Sequence, residues 1–360
     1  MQLVLHDISW RVKKDEPSLW RYSTMLPYFP RKVSFGEGYT PLRRYSKDVF
    51  LKLENMNPTG SYSDRASSVI ASYFESTGLL SGRGTIIIEY NEDFALSIAY
   101  YLHERSKLRV FFREPGKANP IEVISLERLG AEMRFKPGSH SGTLSYINPL
   151  SIEGLKTITL EVIERSINVE NIIAPAETGL LSYSIAKGLE DARKAGIETD
   201  YNIVAVLIED AEKPSLLDLA EQRIKTARVS SEEVVKSIVA LSRKGIWVKP
   251  LSAAALAEAE NRGRSIAIIT SSLRRQLLIP VSKTKRSRLK EEILKTIRVL
   301  GEATAYEVWE RLQGKYTLRG VYKALKGLEQ EGTICSKYKM QGRRRIKVYY
   351  ECIELDIVRV

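Results

Sequence analysis

Several residue types that build catalytic or covalent frameworks are scarce in this 360-residue sequence. Cys335 and Cys352 are its only cysteines, too few for a disulfide framework and without metal-site spacing. His6, His103 and His140 are its only histidines, which argues against a histidine metal site or catalytic triad. No stretch approaches the roughly 18 uninterrupted apolar residues of a membrane span. The opening residues, Met1 to Asp7, lack the basic-then-apolar order of a secretory leader. There is no internal repeat and no low-complexity tract. These absences predict a cytoplasmic protein with no metal and no membrane association.

What is present is ordinary in amount and uneven in place. At 43% hydrophobic and 28% charged residues, the chain suits two or three soluble domains. The net charge is +12. From Lys283 onward 19 Lys/Arg face 10 Asp/Glu, a net of +9, while residues 1–282 hold 37 against 34, a net of +3. A basic tail of this kind suits a polyanion partner or, alternatively, is a solvated basic surface.

Between residues 49 and 280 short β-rich runs alternate with helical patterns. Val49–Leu53, Thr85–Glu89, Arg109–Phe112, Asn171–Pro175, Tyr201–Leu207 and Ser265–Thr270 read as strands, and 65–76 and 95–102 as helices. The alternation predicts an α/β fold with largely parallel sheets, and the near-continuous apolar strands predict burial on both faces. Residues 1–45 read as irregular, broken by Pro17, Pro27, Pro30 and Pro41. The charged stretch 281–287 reads as a linker dividing 1–280 from 288–360.

Beyond it the pattern predicts helices over 289–300, 304–312 and 317–331, with Thr304 and Thr317 as caps and Gly332 as a stop. Strands over 333–340 and 345–350 follow, joined by a turn at Gln341-Gly342. This is the order of a small α+β winged helix-turn-helix. In its third helix Leu318, Val321, Leu325 and Leu328 recur at helical spacing, which turns Arg319, Tyr322, Lys323 and Lys326 outward as a recognition face. The wing adds Lys337, Lys339, Arg343, Arg344, Arg345 and Lys347, suited to phosphates or the minor groove. The partner expected is double-stranded DNA; a protein-binding winged helix with a basic surface is the alternative.

Motifs in the first 280 residues occur in a familiar order. They are Leu19-Trp20-Arg21-Tyr22 with Leu26-Pro27, then Val33 to Leu42, then Leu51 to Arg65, then Ile147-Asn148-Pro149 with Ile152 to Thr157, and finally Gly245 to Ala257. In series they resemble threonine synthase, a pyridoxal-phosphate enzyme of the tryptophan-synthase-β type (fold type II). The resemblance implies a two-lobed domain with the cofactor cleft between the lobes. It also implies that Ser61-Tyr62-Ser63-Asp64-Arg65 stands where the family has Ser-Phe-Lys-Asp-Arg, so that Ser63 replaces the Schiff-base lysine. A hydroxyl cannot form an imine.

By the same resemblance, Pro175 to Leu180 replaces a glycine-rich phosphate loop, keeping Thr178 and Gly179 but carrying Glu177. Asn91 matches a cofactor-contacting asparagine among altered neighbours, and Thr270 matches the residue near the pyridine nitrogen. Ser63, Asn91, Glu177, Thr178, Gly179 and Thr270 are thus the expected remnant pocket, with no catalytic residue and no cofactor expected, pyridoxal phosphate entering only noncovalently. Thr317 to Gly332 likewise resembles the recognition helix of winged-helix regulators. The implied function is a DNA-binding transcriptional regulator on an inactive synthase-like domain. Its cleft either senses a small amino-acid-like ligand, which Glu89, Glu92, Asp93 and Glu177 would make cationic, or is a scaffold that only dimerises. A homodimer is expected by analogy with the family. The alternatives are a threonine-synthase-type lyase using a substitute lysine such as Lys52, or a non-catalytic partner of such an enzyme.

Overall fold

The computed structural model describes residues 8–79, 84–135, 143–273, 288–312, 314–330, 334–342 and 344–351. The chain divides into two compact units, Met1–Ile279 and Pro280–Val360. The linker expected at 281–287, the stop at Gly332, and His6, His140, Arg343 and Cys352 lie outside the described residues. No helix among those described is long and apolar enough to cross a membrane.

The first unit runs β1 (Leu42–Arg44), β2 (Val49–Leu53), α1 (Ser63–Thr77), β3 (Thr85–Glu89), α2 (Phe94–Leu102) and β4 (Lys107–Phe111). It continues with α3 (Pro120–Arg128), β5 (Glu132–Arg134), α4 (Pro149–Arg165), β6 (Asn171–Pro175), α5 (Leu180–Lys194) and β7 (Asn202–Ile208). β8 (Ile224–Val229), α6 (Ser231–Arg243), α7 (Pro250–Arg262) and β9 (Ser265–Ile269) complete it. Six strands form one sheet in the order β1-β2-β9-β6-β7-β8, and three form another, β3-β4-β5. Every pairing is parallel except β1 with β2.

The large sheet is covered on both faces, as its apolar strands require. Ile172, Ala174, Ile203, Ala205 and Ile266 pack with Ile158, Leu160 and Ile185 of α4 and α5. The alternate residues, Ile173, Val204, Val206 and Ala267, pack with Val234 and Leu241 of α6 and Ala253 to Ala257 of α7. The small sheet forms its own core with α1 and α2 through Ile88, Val110, Ile70 and Leu96. Gly154 allows α4 to cross α1 closely: a Cβ there would lie 2.3 Å from the Arg65 carbonyl oxygen.

Three strands depart from the sequence reading. β8 is an edge strand whose middle residues, Lys225, Thr226 and Arg228, face solvent, so it lacks an apolar run. β5 is three residues long and mostly exposed. β1 lies inside the stretch read as irregular, where Leu19–Met25 also forms 3-10 turns.

The second unit comprises α8 (Arg288–Leu300), β10 (Glu302–Thr304), α9 (Ala305–Arg311), α10 (Leu318–Gln330), β11 (Ile334–Gln341) and β12 (Arg344–Glu351). Thr304 caps α9 in a reciprocal box with Glu307, satisfying orphan amides at the helix start. β10, too short to show a period, adds an edge to the β11–β12 hairpin, giving the antiparallel order β10-β12-β11. Ile293, Ile297, Val308, Val321, Leu325, Leu328 and Ile334 form its core.

Candidate functional site

In the first unit, loops at the carboxyl ends of β3, β6 and β9 converge with the start of α7. Open α/β sheets usually bind ligands at such strand ends. The loops enclose a cavity of about 420 Å³ lined by Tyr62, Glu92, Asp93, Glu177, Lys249 and Thr270, among others. The expected remnant pocket is therefore divided. Glu177, Thr178, Gly179 and Thr270 line the cavity, whereas Ser63 and Asn91 are not among the lining residues. Ser63 is fully buried, its hydroxyl 3.2 Å from that of Tyr146. Asn91 uses its carbonyl to accept the Ala95 amide at the start of α2. Glu89 leaves the acidic group as well, pairing with Arg113 on an exposed surface at 2.7 Å.

Lys249, not among the expected site residues, is the centre of the cavity's charge. Its ammonium donates to Asp93 at 2.7 Å, contacts Glu92, and lies 3.6 Å from Glu122. Oxygens of the three carboxylates lie within 4.8 Å of one another. Ser271 donates its hydroxyl to the other oxygen of Asp93. Tyr90 donates to Glu122 at 3.0 Å, and Asn119 to Glu92 at 3.0 Å. Asp93 itself holds φ +73°, a region L-residues rarely adopt, and its amide donates to Glu122 at 3.1 Å.

Among the described residues, the electrostatics reflect burial together with Lys249 and its neighbouring carboxylates. Burial pushes the Glu122 carboxyl up to about 7; Lys249 opposes the rise and Glu92 adds to it. Glu177 is open to solvent on one side, yet the enclosing walls raise its carboxyl, with Glu92 adding repulsion and Lys249 opposing. A sequence signal for Lys249 existed. It occupies the N-cap of α7 just before Pro250, where a helix end disfavours cations, so compensating carboxylates were to be expected. Glu122 gave no signal, because an acid in the first turn of α3 is what any helix start favours.

Lys52 sits elsewhere, fully buried in a second ion cluster. It lies 2.6 Å from Glu161 and 3.2 Å from Glu54, and Arg65 bridges the same two carboxylates at 2.5 and 2.6 Å. Burial pushes Glu54 up, but Arg65 and Lys52 outweigh it and hold the group below the carboxylate range.

In the second unit, Val321, Ala324, Leu325 and Leu328 of α10 are buried, and Arg319, Tyr322, Lys323 and Lys326 are exposed. Leu318, expected inside, is only half-buried at the helix start. The hairpin cations are partly engaged. Lys337 reaches Glu302 at 2.8 Å, Lys339 contacts the same carboxylate, and Lys347 pairs with Glu329 at 2.9 Å. Arg345 lies over the Tyr338 ring at 4.3 Å. Arg344 pairs through its backbone with Gln341 at the hairpin end.

A family model described as pyridoxal-phosphate dependent enzyme matches residues 33–267. Threonine synthase of Methanosarcina acetivorans is 26% identical over 212 residues, 52% of this chain and 51% of that protein. The match thus spans about half the length of that relative. Threonine synthase of Methanocaldococcus jannaschii is 23% identical over 312 residues, covering 69% of this chain and 76% of that one. A fungal L-serine ammonia-lyase from Rhizomucor miehei superposes with a TM-score of 0.55 at 15% identity, over 67% of this chain and 95% of that chain, a likeness of fold.

Proposed function

The chain belongs to the family of pyridoxal-phosphate dependent enzymes, and from that premise we propose that it is a non-catalytic member acting as a DNA-binding regulator. The observation that carries the first half is the commitment of its amines. An internal imine needs a lysine with a free amine at the cleft. By resemblance that position is Ser63, a buried hydroxyl. Lys249 is engaged by Glu92 and Asp93, and Lys52 is buried between Glu54 and Glu161. At the start of α5, where a phosphate would sit against the backbone amides, Glu177 brings a carboxylate into the same cavity. The residues present do not fit pyridoxal phosphate. The cavity has room for a small amino-acid-like ligand, which is the sensing role proposed for it.

The second half rests on a short helical unit closed by a hairpin, with Arg319, Lys323 and Lys326 on the open face of α10. In a winged helix such a face enters the major groove, and Lys337, Lys339 and the arginines 343–345 would add backbone contacts. A homodimer would present two such helices to paired half-sites.

Two measurements test the reading. Purified protein should show no visible absorbance that borohydride abolishes; such a band would restore the lyase alternative. Duplex affinity should fall steeply with salt, and converting Lys323 and Lys326 to Ala should weaken binding and lower the salt slope by about one per lost phosphate contact. An unchanged slope would remove α10 from the interface.

A further inference from the structure

The hairpin of the second unit has two faces, and each meets a carboxylate from another element. Successive residues of a strand point to opposite sides, so Lys337 and Lys339 of β11 share one face, and Ser336 and Tyr338 the other. Lys347 of β12 stands opposite Tyr338 in register and belongs to that second face. On the first face Glu302 of β10 takes the Lys337 ammonium at 2.8 Å and contacts Lys339 as well. On the second, Glu329 of α10 takes Lys347 at 2.9 Å through one oxygen and the Ser336 hydroxyl through the other. Two acids thus hold all three lysines of the hairpin. Arg345 differs, lying exposed over the Tyr338 ring with no carboxylate partner among the described residues.

These pairs are open to exchange. Their side chains keep 30 to 48% of their surface exposed, and exposed ion pairs add little to folding. A duplex offers the same lysines a denser line of anions, one charge per roughly 1.7 Å of helix axis.

We propose that Glu302 and Glu329 compete with nucleic-acid phosphates for the hairpin lysines and so hold down the affinity of the second unit for any duplex. This inference deepens the DNA-binding reading and rests on it. A phosphate that takes Lys337 or Lys347 displaces a carboxylate, which stays behind facing the polyanion at like charge. Phosphate contacts carry no sequence information. The two acids therefore weaken binding to all duplexes alike and leave discrimination to the open face of α10.

Titration of the full chain with a mixed-sequence DNA duplex over a range of salt concentrations tests this. Glu302→Gln should tighten binding by about three- to tenfold at low salt and steepen the salt dependence by about one for each phosphate contact regained. Glu329→Gln, which frees one lysine instead of two, should act in the same direction and more weakly. In the Glu302→Gln background, changing Lys337 and Lys339 to Gln should abolish the gain. Glu310→Gln is the control for net charge, since Glu310 is exposed on α9 and pairs with no hairpin cation among the described residues. It should change affinity by less than about twofold. Unchanged affinity in Glu302→Gln and Glu329→Gln, or an equal gain in Glu310→Gln, would overturn the competition while leaving the DNA-binding reading in place. A wild type that binds no duplex would remove both.

Discussion

Two clusters of buried charge in the first unit are made of the same residue types and behave in opposite ways. Around Arg65, two cations face two carboxylates, all fully buried and mutually bonded. Glu54 and Glu161 there are held below the ordinary carboxylate range, since Arg65 and Lys52 outweigh the burial of both. Among the described residues, Lys249 faces Glu92, Asp93 and Glu122, and there burial raises Glu122 instead. Burial is common to both; Arg65 and Lys52 outweigh it at Glu54, while Lys249 does not outweigh it at Glu122. A buried carboxyl beside a cavity that titrates near neutrality, as Glu122 does, is the kind of group often found at functional sites.

Breaking the balanced cluster should cost most. Arg65→Met leaves two buried carboxylates to one lysine and should destabilise the first unit by about 3–5 kcal/mol, read from urea unfolding. The intact cluster's contribution is present above the unfolded value of 4.5 and is lost as pH falls through the depressed folded values. A loss below about 1 kcal/mol would mean that the network adds little beyond packing.

Glu122→Gln probes the other cluster and should act in the reverse sense. In the wild type the native state binds the Glu122 proton more tightly, so stability declines as pH rises from 4.5 to about 7. The variant should remove that decline, gaining about 2 kcal/mol on the wild type between pH 5 and pH 8, as order-of-magnitude bounds. A wild-type profile already flat over this window would place Glu122 in a hydrated setting. The smallest effect belongs to Ser271→Ala, which removes one hydroxyl from Asp93 and should cost about 1 kcal/mol. An equal loss in a variant already carrying Asp93→Asn would show that the hydroxyl acts elsewhere.

Much of the fold was readable because its signals are local. Asn171–Pro175 is a strand at the bounds its apolar run suggested, and Thr304 caps α9 as its spacing with Glu307 implied. β8 was not readable, since an edge strand needs no apolar face toward solvent and its pattern is broken by Lys225 and Arg228. The site was only half readable. Glu177, Thr178, Gly179 and Thr270 line the cavity, but Ser63 turns to Tyr146 and Asn91 serves its own helix start. Tyr62, the N-cap of α1, lines the cavity, whereas Ser63 in the first turn of that helix meets Tyr146.

By itself the sequence determined the α/β alternation, the positions of most strands and helices, the basic excess beyond Lys283 and the outward face of α10. These depend on periodicity, capping and charge count, which act over a few residues or over a whole segment. Only the tertiary structure decided which carboxylates meet which amines. Lys249 is separated from Asp93 by more than half of the first unit's length, yet the two lie 2.7 Å apart. Lys52, at first sight a substitute for a missing amine, is instead bound to Glu161 at 2.6 Å. Such pairings fall off with distance in space, and no local pattern records that distance.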